Sequence, residues 1–262
     1  MNRGKSTARY DSVLQLLYHP DRLQEPMLRY SKNGNLVNTN WNEADNRFRN
    51  ALTNADGAMT IVTNPIRGHL GNVAEKFAAQ YNGKHMTFDP TEQGVLHGAV
   101  KSVLGQDQLP TFDISHAHTV LSFGADWLGT WGSPAQFGVK YGEFRSQSDR
   151  GYLIHAEPRM SLTAAAADLW LAPKPGTEGD LALGIASIII NEGLATQESI
   201  STFNTVLPAG LDGYSVAQVS NRTGISGDRI EKAARYFANH TPAVAFGGGS
   251  VSYTHLTLPT KA

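Results

Sequence analysis

From Met59 onward, short runs rich in β-branched and aromatic residues alternate with segments whose apolar residues recur every three or four positions, and this alternation constrains the fold more than any other feature. The strand candidates are 59–63, 85–88, 119–123, 152–155, 169–172 and 243–246. Between and around them, helical patterns run over 69–81, 93–104, 134–144, 162–167, 178–192, 197–203, 214–223 and 227–239. Strands separated by helices build βαβ units, and these require a parallel sheet with both faces covered. The expected fold class is therefore α/β, with a doubly wound, mainly parallel, Rossmann-like sheet. Local signals agree. Thr177 precedes Glu178 and Asp180, Ser226 precedes Asp228, and Gly193 follows Glu192, as helix starts and stops do.

The chain divides into three stretches on this reading. Residues 1–40 are rich in Pro, Asn and Arg, as in Tyr18-His19-Pro20-Asp21-Arg22, and predict an extended arm with turns. Residues 41–250 form the α/β domain, opening with a helix over 41–54 on which Trp41, Ala44, Phe48, Ala51 and Leu52 recur at helical spacing. Residues 251–262 are expected to lie outside the fold. Val251-Ser252-Tyr253-Thr254-His255-Leu256-Thr257-Leu258-Pro259-Thr260 back-translates, in one frame, into the end of a transposase sequencing adaptor.

Charge and cysteine content exclude several function classes. A formal net charge of −1 argues against nucleic acid or anionic membrane as the main partner, because both need a basic surface. With no cysteine, the chain forms no disulfide, no thiolate zinc site, no Cys nucleophile and no iron–sulfur cluster held by its own side chains. The most apolar stretch, 181–190, is too short to span a bilayer, which takes about 20 residues. Residues 1–9 are polar and basic, without the apolar core of a signal peptide. Either the protein stays where it is made, or this chain is a piece whose signal lies elsewhere.

Three loops follow strand ends, where open parallel sheets bind ligands. They are Ser122-Phe123-Gly124-Ala125-Asp126, Glu157-Pro158-Arg159 and Pro173-Lys174-Pro175-Gly176-Thr177-Glu178. Small residues there admit a ligand close to the backbone, and the helix starting at Glu178 offers an anion-binding end. Each also has a plainer account: a turn at Gly124, a strand exit at Pro158-Arg159, and a loop before a capped helix at Pro175-Gly176. The histidines His69, His85, His97, His116 and His118 lack metal-ligand spacing, and no nucleophile elbow or phosphate loop occurs. Asp89, Glu92 and Asp107 read as ordinary surface carboxylates.

Taken together, the loops resemble the molybdopterin oxidoreductases of the dimethyl sulfoxide reductase type. Leu17 to Met27 followed by Trp41-Asn42-Glu43-Ala44 is similar to the segment after the family's cluster-binding domain. Val120 to Asp126 resembles the strand and loop that usually end Gly-Ser-Asn, and Glu157-Pro158-Arg159 resembles Asp-Pro-Arg. Ala167-Asp168 through Pro175-Gly176-Thr177-Glu178 resembles the Ala-Asp and Pro-Gly-Thr-Asp signature. The resemblance runs in order over nearly all of 13–250. It implies the central-domain fold of formate dehydrogenase and dimethyl sulfoxide reductase. A narrower resemblance, carried by Pro65 to Leu70, Gly124 to Pro134 and Glu157 to Ala164, is to the large iron–sulfur subunit of alternative complex III.

That narrower resemblance implies an electron-transfer subunit of a membrane-associated quinol:electron-acceptor complex, peripheral on the periplasmic side of the bacterial inner membrane. Its partners would be an integral membrane quinol-binding subunit and cytochrome c subunits. Iron–sulfur clusters would sit elsewhere in the full-length protein, and the molybdopterin-type domain would carry no cofactor and no catalytic residue. Departures from the family pattern point the same way. Glu157 and Glu178 replace Asp, Ala125-Asp126 replaces Ser-Asn, and 85–101 holds no Cys or Ser to ligate a metal; Asp89 is the sole Asp there. Trp127 and Trp131 are expected to plug a vestigial pocket. The alternative is the pterin-binding core of an active molybdenum enzyme. In that case Ser122, Gly124, Asp126, Glu157, Arg159, Gly176, Thr177 and Glu178 would hold molybdopterin guanine dinucleotide. A third class is a stand-alone Rossmann-like binding module.

Overall fold

The computed structural model describes residues 4–55, 57–66, 68–88, 93–207 and 210–248. The expectations placed on Asp89 and Glu92, and on 251–262, therefore lie outside the described residues. The chain forms two compact units, one over 8–90 and one over 91–262 together with 1–7.

The 8–90 unit opens with a helical turn, α1 (Ala8–Asp11), that continues as a 3-10 stretch, Ser12–Tyr18. The arm is thus partly helical where the Pro-rich sequence predicts extended chain; 12–18 carries no Pro or Gly, so nothing local opposes a helical turn. Two short strands then pair antiparallel, β1 (Met27–Leu28) and β2 (Val37–Asn38). Next comes α2 (Trp41–Asn54), whose first turn is capped by the Asn40 side chain accepting from the Glu43 N–H at 2.9 Å. A βαβ unit closes this half: β3 (Thr60–Thr63), α3 (His69–Gln80) and β4 (Lys84–Thr87), the two strands parallel and in register from Thr60–Lys84 to Thr63–Thr87.

The second unit holds the larger sheet. Its elements are α4 (Gln93–Leu104), β5 (Thr119–Phe123), α5 (Pro134–Arg145), β6 (Tyr152–Ala156), α6 (Leu162–Ala165) and β7 (Leu169–Leu171). They continue with α7 (Glu178–Asn191), α8 (Gln197–Val206), α9 (Val216–Thr223), α10 (Gly227–Asn239) and β8 (Ala243–Gly247). All four strands are parallel, in the order β7-β6-β5-β8. The order runs outward from β5 to β7 and then reverses to β8 on the other side, which is the doubly wound pattern. The six strands expected from sequence are all present, divided between two parallel sheets rather than gathered in one.

Strand alternation sorts the core into two layers. Leu121, Ile154 and Leu171 face α7, α9 and α10, packing on Leu181, Ile185, Val219 and Ile230. Val120, Leu153 and Phe246 face the opposite way, onto Phe144 of α5 and the aromatic loop of Trp127 and Trp131. Burying a large apolar side chain stabilises by roughly 1.5–3 kcal/mol, so each layer is a substantial part of the fold's stability. An ion pair ties the second layer to the sheet. The half-stacked Arg145 guanidinium bonds Asp168 at 2.5 Å, the Ala166 carbonyl at 2.7 Å and the Tyr141 hydroxyl at 2.9 Å, while Asp168 accepts the Leu153 N–H at 2.7 Å. Burial raises the Asp168 carboxyl, but these hydrogen bonds outweigh it and hold it below the ordinary carboxylate value.

Candidate functional site

Because β5, β6 and β7 run parallel, the loops that follow them leave the sheet at one edge, the carboxyl edge. The loops of Arg159 and Glu178 therefore share that edge, as the sequence predicts.

The β5 loop turns at Gly124, whose φ of +63° suits glycine and whose N–H continues the ladder to the Ala156 carbonyl at 2.8 Å. Past the turn the chain dives inward: Ala125, Asp126 and Trp127 are buried. Ser122 and His155 are register partners on adjacent strands and point to the same face. The Ser122 Oγ lies 2.7 Å from His155 Nδ1 and accepts the Trp127 indole N–H at 3.1 Å. His155 Nε2 lies 3.2 Å from a Glu157 carboxylate oxygen. The ionised Glu157 can only accept, so Nε2 carries the proton, Nδ1 accepts from the Ser122 hydroxyl, and the Ser122 oxygen accepts from Trp127. Each polar atom of this buried string is used.

The string continues to the surface. Arg159 Nε donates to the other Glu157 oxygen at 3.0 Å, and its Nη2 stands 3.8 Å from Asp126. Asp126 in turn caps the start of α6, accepting from the Thr163 N–H at 3.1 Å and the Thr163 hydroxyl at 2.9 Å. Burial raises the Glu157 carboxyl; hydrogen bonds from His155, Ser161 and Arg159 lower it by more, so it stays below the ordinary glutamate value. The arrangement has the members of a Ser-His-carboxylate set, yet Ser122 and His155 are fully buried and the Ser122 oxygen is already bonded twice. It positions loops and offers no nucleophile to solvent.

Gly176, Thr177 and Glu178 stand on the next loop along the edge. Gly176 has a φ of +84°, and the Thr177 hydroxyl donates back to the Lys174 carbonyl at 2.7 Å instead of capping α7. Glu178 is buried at the first residue of α7. With Phe123, Ala245 and Gly247 it borders a mainly apolar cleft of about 200 Å³ between β5 and β8, where the strand order reverses. The two tryptophans pack on the other face of the sheet, in the layer of Val120, Leu153 and Phe246. Trp127 is fully buried, and Trp131 lies over Phe246 with centroids 5.8 Å apart and planes 14° apart. Gly248 sits so close to the Trp131 ring that a Cβ there would stand 2.5 Å from it.

Of the eight sequence-predicted positions, the structure joins Ser122, Asp126, Glu157 and Arg159 in one network turned by Gly124. Gly176, Thr177 and Glu178 form a second group. Sequence reasoning missed His155 and Thr163, which complete the network. The signal for His155 was present: a histidine in an apolar strand, two residues before Glu157 and so on the same face. Among the described residues, no three His, Asp or Glu side chains are placed to hold a metal, and no helix is long and apolar enough to cross a membrane.

The family model of the molybdopterin oxidoreductases matches residues 22–255. The chain is 25% identical to the menaquinone reductase, molybdopterin-binding-like subunit, of Nitratidesulfovibrio vulgaris, over all of this chain and 38% of that one. It is 27% identical to the assimilatory nitrate reductase catalytic subunit of Bacillus subtilis, over 86% of this chain and 33% of that one. Among solved structures, acetylene hydratase from Pelobacter acetylenicus superposes with a TM-score of 0.67 at 19% identity, covering 94% of this chain and 35% of that one. This chain spans about a third of the length of these relatives.

Proposed function

The chain belongs to the molybdopterin oxidoreductase family, and from that premise we propose that it is part of an electron-transfer subunit of a quinone-linked, membrane-associated respiratory complex resembling alternative complex III. In it the molybdopterin-type domain serves as a scaffold and holds no dinucleotide. The full-length protein carries iron–sulfur clusters outside these residues. It docks on an integral membrane quinol-binding subunit and cytochrome c subunits at the periplasmic face. The likeness to a menaquinone reductase subunit supports the quinone link in general terms.

One observation carries the scaffold reading: three polar side chains of the carboxyl edge, Ser122, Asp126 and Glu157, are spent on neighbouring side chains. A dinucleotide tail needs hydroxyls, amides and carboxylates free to bond it. Ser122 is held by Trp127 and His155, Asp126 by Thr163, and Glu157 by His155 and Arg159. These residues are buried in that arrangement, and a nucleotide would have to break it, at roughly 1–3 kcal/mol for each buried group left unpaired. The side chains present therefore do not fit the family's cofactor. The second reading, an active pterin-binding core, is favoured by the open cleft bordered by Phe123, Glu178 and Gly247 at the strand-order reversal. Elemental analysis of the purified full-length subunit decides between them. The scaffold reading expects no molybdenum or tungsten; a near-stoichiometric amount of either overturns it.

A further inference from the structure

Trp127 is fully buried, yet its indole N–H does not end at a passive acceptor. It points to Ser122 Oγ at 3.1 Å, the Ser122 hydroxyl points to His155 Nδ1 at 2.7 Å, and His155 Nε2–H points to a Glu157 oxygen at 3.2 Å. Every donor in this string is aimed the same way, from the indole toward an imidazole backed by a carboxylate. The other tryptophans lack such a base. Among the described residues the buried Trp131 Nε1 has no partner, and Trp170 Nε1 donates to the Glu157 backbone carbonyl at 2.9 Å, an amide oxygen that does not hold a proton. Trp41 belongs to the other unit and is 69% exposed.

We propose that Trp127 is a proton-coupled redox site, giving one electron to an outer-sphere one-electron oxidant while its indole proton moves by way of Ser122 onto His155. The N–H bond of Trp127 breaks as a new O–H bond forms at Ser122, and the original Ser122 O–H bond breaks as an N–H bond forms at His155 Nδ1. This leaves a neutral indolyl radical, an intact serine hydroxyl and an imidazolium, with the oxidant reduced by one electron. Return of one electron from a reductant, with the reverse proton movements, restores the starting groups. Burial drives the transfer: an indole radical cation is strongly acidic, and its charge is costly in the apolar layer of Val120, Phe144 and Leu153. On His155 the same charge faces the Glu157 carboxylate, which stays ionised behind the ring, as a carboxylate paired with a catalytic histidine does. Imidazole is a stronger base than a carboxylate, so the proton rests on the ring. The electron has a short way out, since Trp127 meets the half-buried Tyr141 ring edge-on with centroids 5.8 Å apart. The oxidised state does not settle on Tyr141. Its hydroxyl donates to the Ala166 carbonyl at 3.3 Å and accepts from Arg145 Nε at 2.9 Å, and neither partner is a base.

Photo-oxidation of the purified full-length protein tests this. Tris(bipyridine)ruthenium(II) is excited beside a cobalt(III) ammine quencher, and the ruthenium(III) complex so formed oxidises the protein. Freeze-quenched samples are read by high-field electron paramagnetic resonance, which separates neutral indolyl radicals from tyrosyl radicals and metal centres. The expected result is a neutral indolyl signal that W127F lowers several-fold more than W131F does. H155Q, whose amide accepts the Ser122 bond and takes up no proton, should also lower it several-fold. No such signal, an equal loss in W131F, or an undiminished signal in H155Q overturns the proposal. The unsubstituted protein serves where the variants do not accumulate: after continuous irradiation in air, peptide mass spectrometry reads the oxygen added at each tryptophan. More oxygen at the fully buried Trp127 than at Trp131, which is 8% exposed, supports the proposal; an equal or smaller amount refutes it.

Discussion

Replacing Ser122 with Ala removes one oxygen and strands two partners. The Trp127 indole N–H loses its acceptor and His155 Nδ1 loses its donor, both in fully buried side chains. Each buried polar atom left without a partner costs about 1–3 kcal/mol, so S122A is expected to destabilise by about 2–6 kcal/mol. At roughly 2–4 °C per kcal/mol for a chain of this size, the melting temperature falls by at least about 4 °C. Thermal and urea unfolding, followed by near-ultraviolet circular dichroism of the tryptophans, measure this. The double substitution S122A/W127F removes the indole donor together with its acceptor. Its cost should fall short of the sum of the two single costs by about 0.5–3 kcal/mol, the usual coupling between side chains in contact. A loss for S122A of less than about 0.5 kcal/mol, the range of an uninvolved surface position, would refute the reasoning. Ser122 would then be a group held for something else, as a nucleotide ligand would be.

Acid should act through Glu157. Its folded-state carboxyl lies below its ordinary value of 4.5, so the stability it contributes is complete above that pH and is lost as pH falls through the depressed folded value. The acid limb of the stability profile should be shallower in E157Q, and identical limbs in variant and parent would contradict the pairing with His155 and Arg159. Gly248→Ala should cost about 1–3 kcal/mol by overpacking the Trp131 ring, with recovery when Trp131 is also made smaller; an unchanged unfolding midpoint would show that the ring yields freely.

The elements of the large sheet were legible because their signals are local. A run such as Thr119-Val120-Leu121-Ser122-Phe123 is bounded by turn residues and too apolar for a surface loop, and 119–123 is the strand found. Helices over 41–54, 93–104 and 227–239 match their apolar spacing. The division of six strands between two sheets was not legible, since nothing in 59–88 states which strand its open edges seek. The site was half legible. Strand-end position marked Ser122, Asp126, Glu157 and Arg159, and topology brought their loops together. What those side chains bond depended on the pairing of β5 with β6, which sets Ser122 opposite His155 and which no local pattern encodes. Trp127 and Trp131 were legible as fillers by size; the indole proton spent on Ser122 was not.

The pairing of Ser122 with His155 also works as an address. Parallel neighbours are joined by long crossovers, so no tight turn dictates how β6 lines up on β5. Apolar alternation alone tolerates a slip of two residues, since valines and leucines exchange places on the same face. Such a slip would set Val120 or Gly124 opposite His155 and part His155 Nδ1 from the Ser122 hydroxyl, while the Trp127–Ser122 and His155–Glu157 bonds, each within one segment, would stay. The Ser122–His155 bond adds little to the native alignment compared with what its loss takes from every other alignment. A few polar atoms in an apolar layer thus make one docking of β6 count and disqualify its near copies.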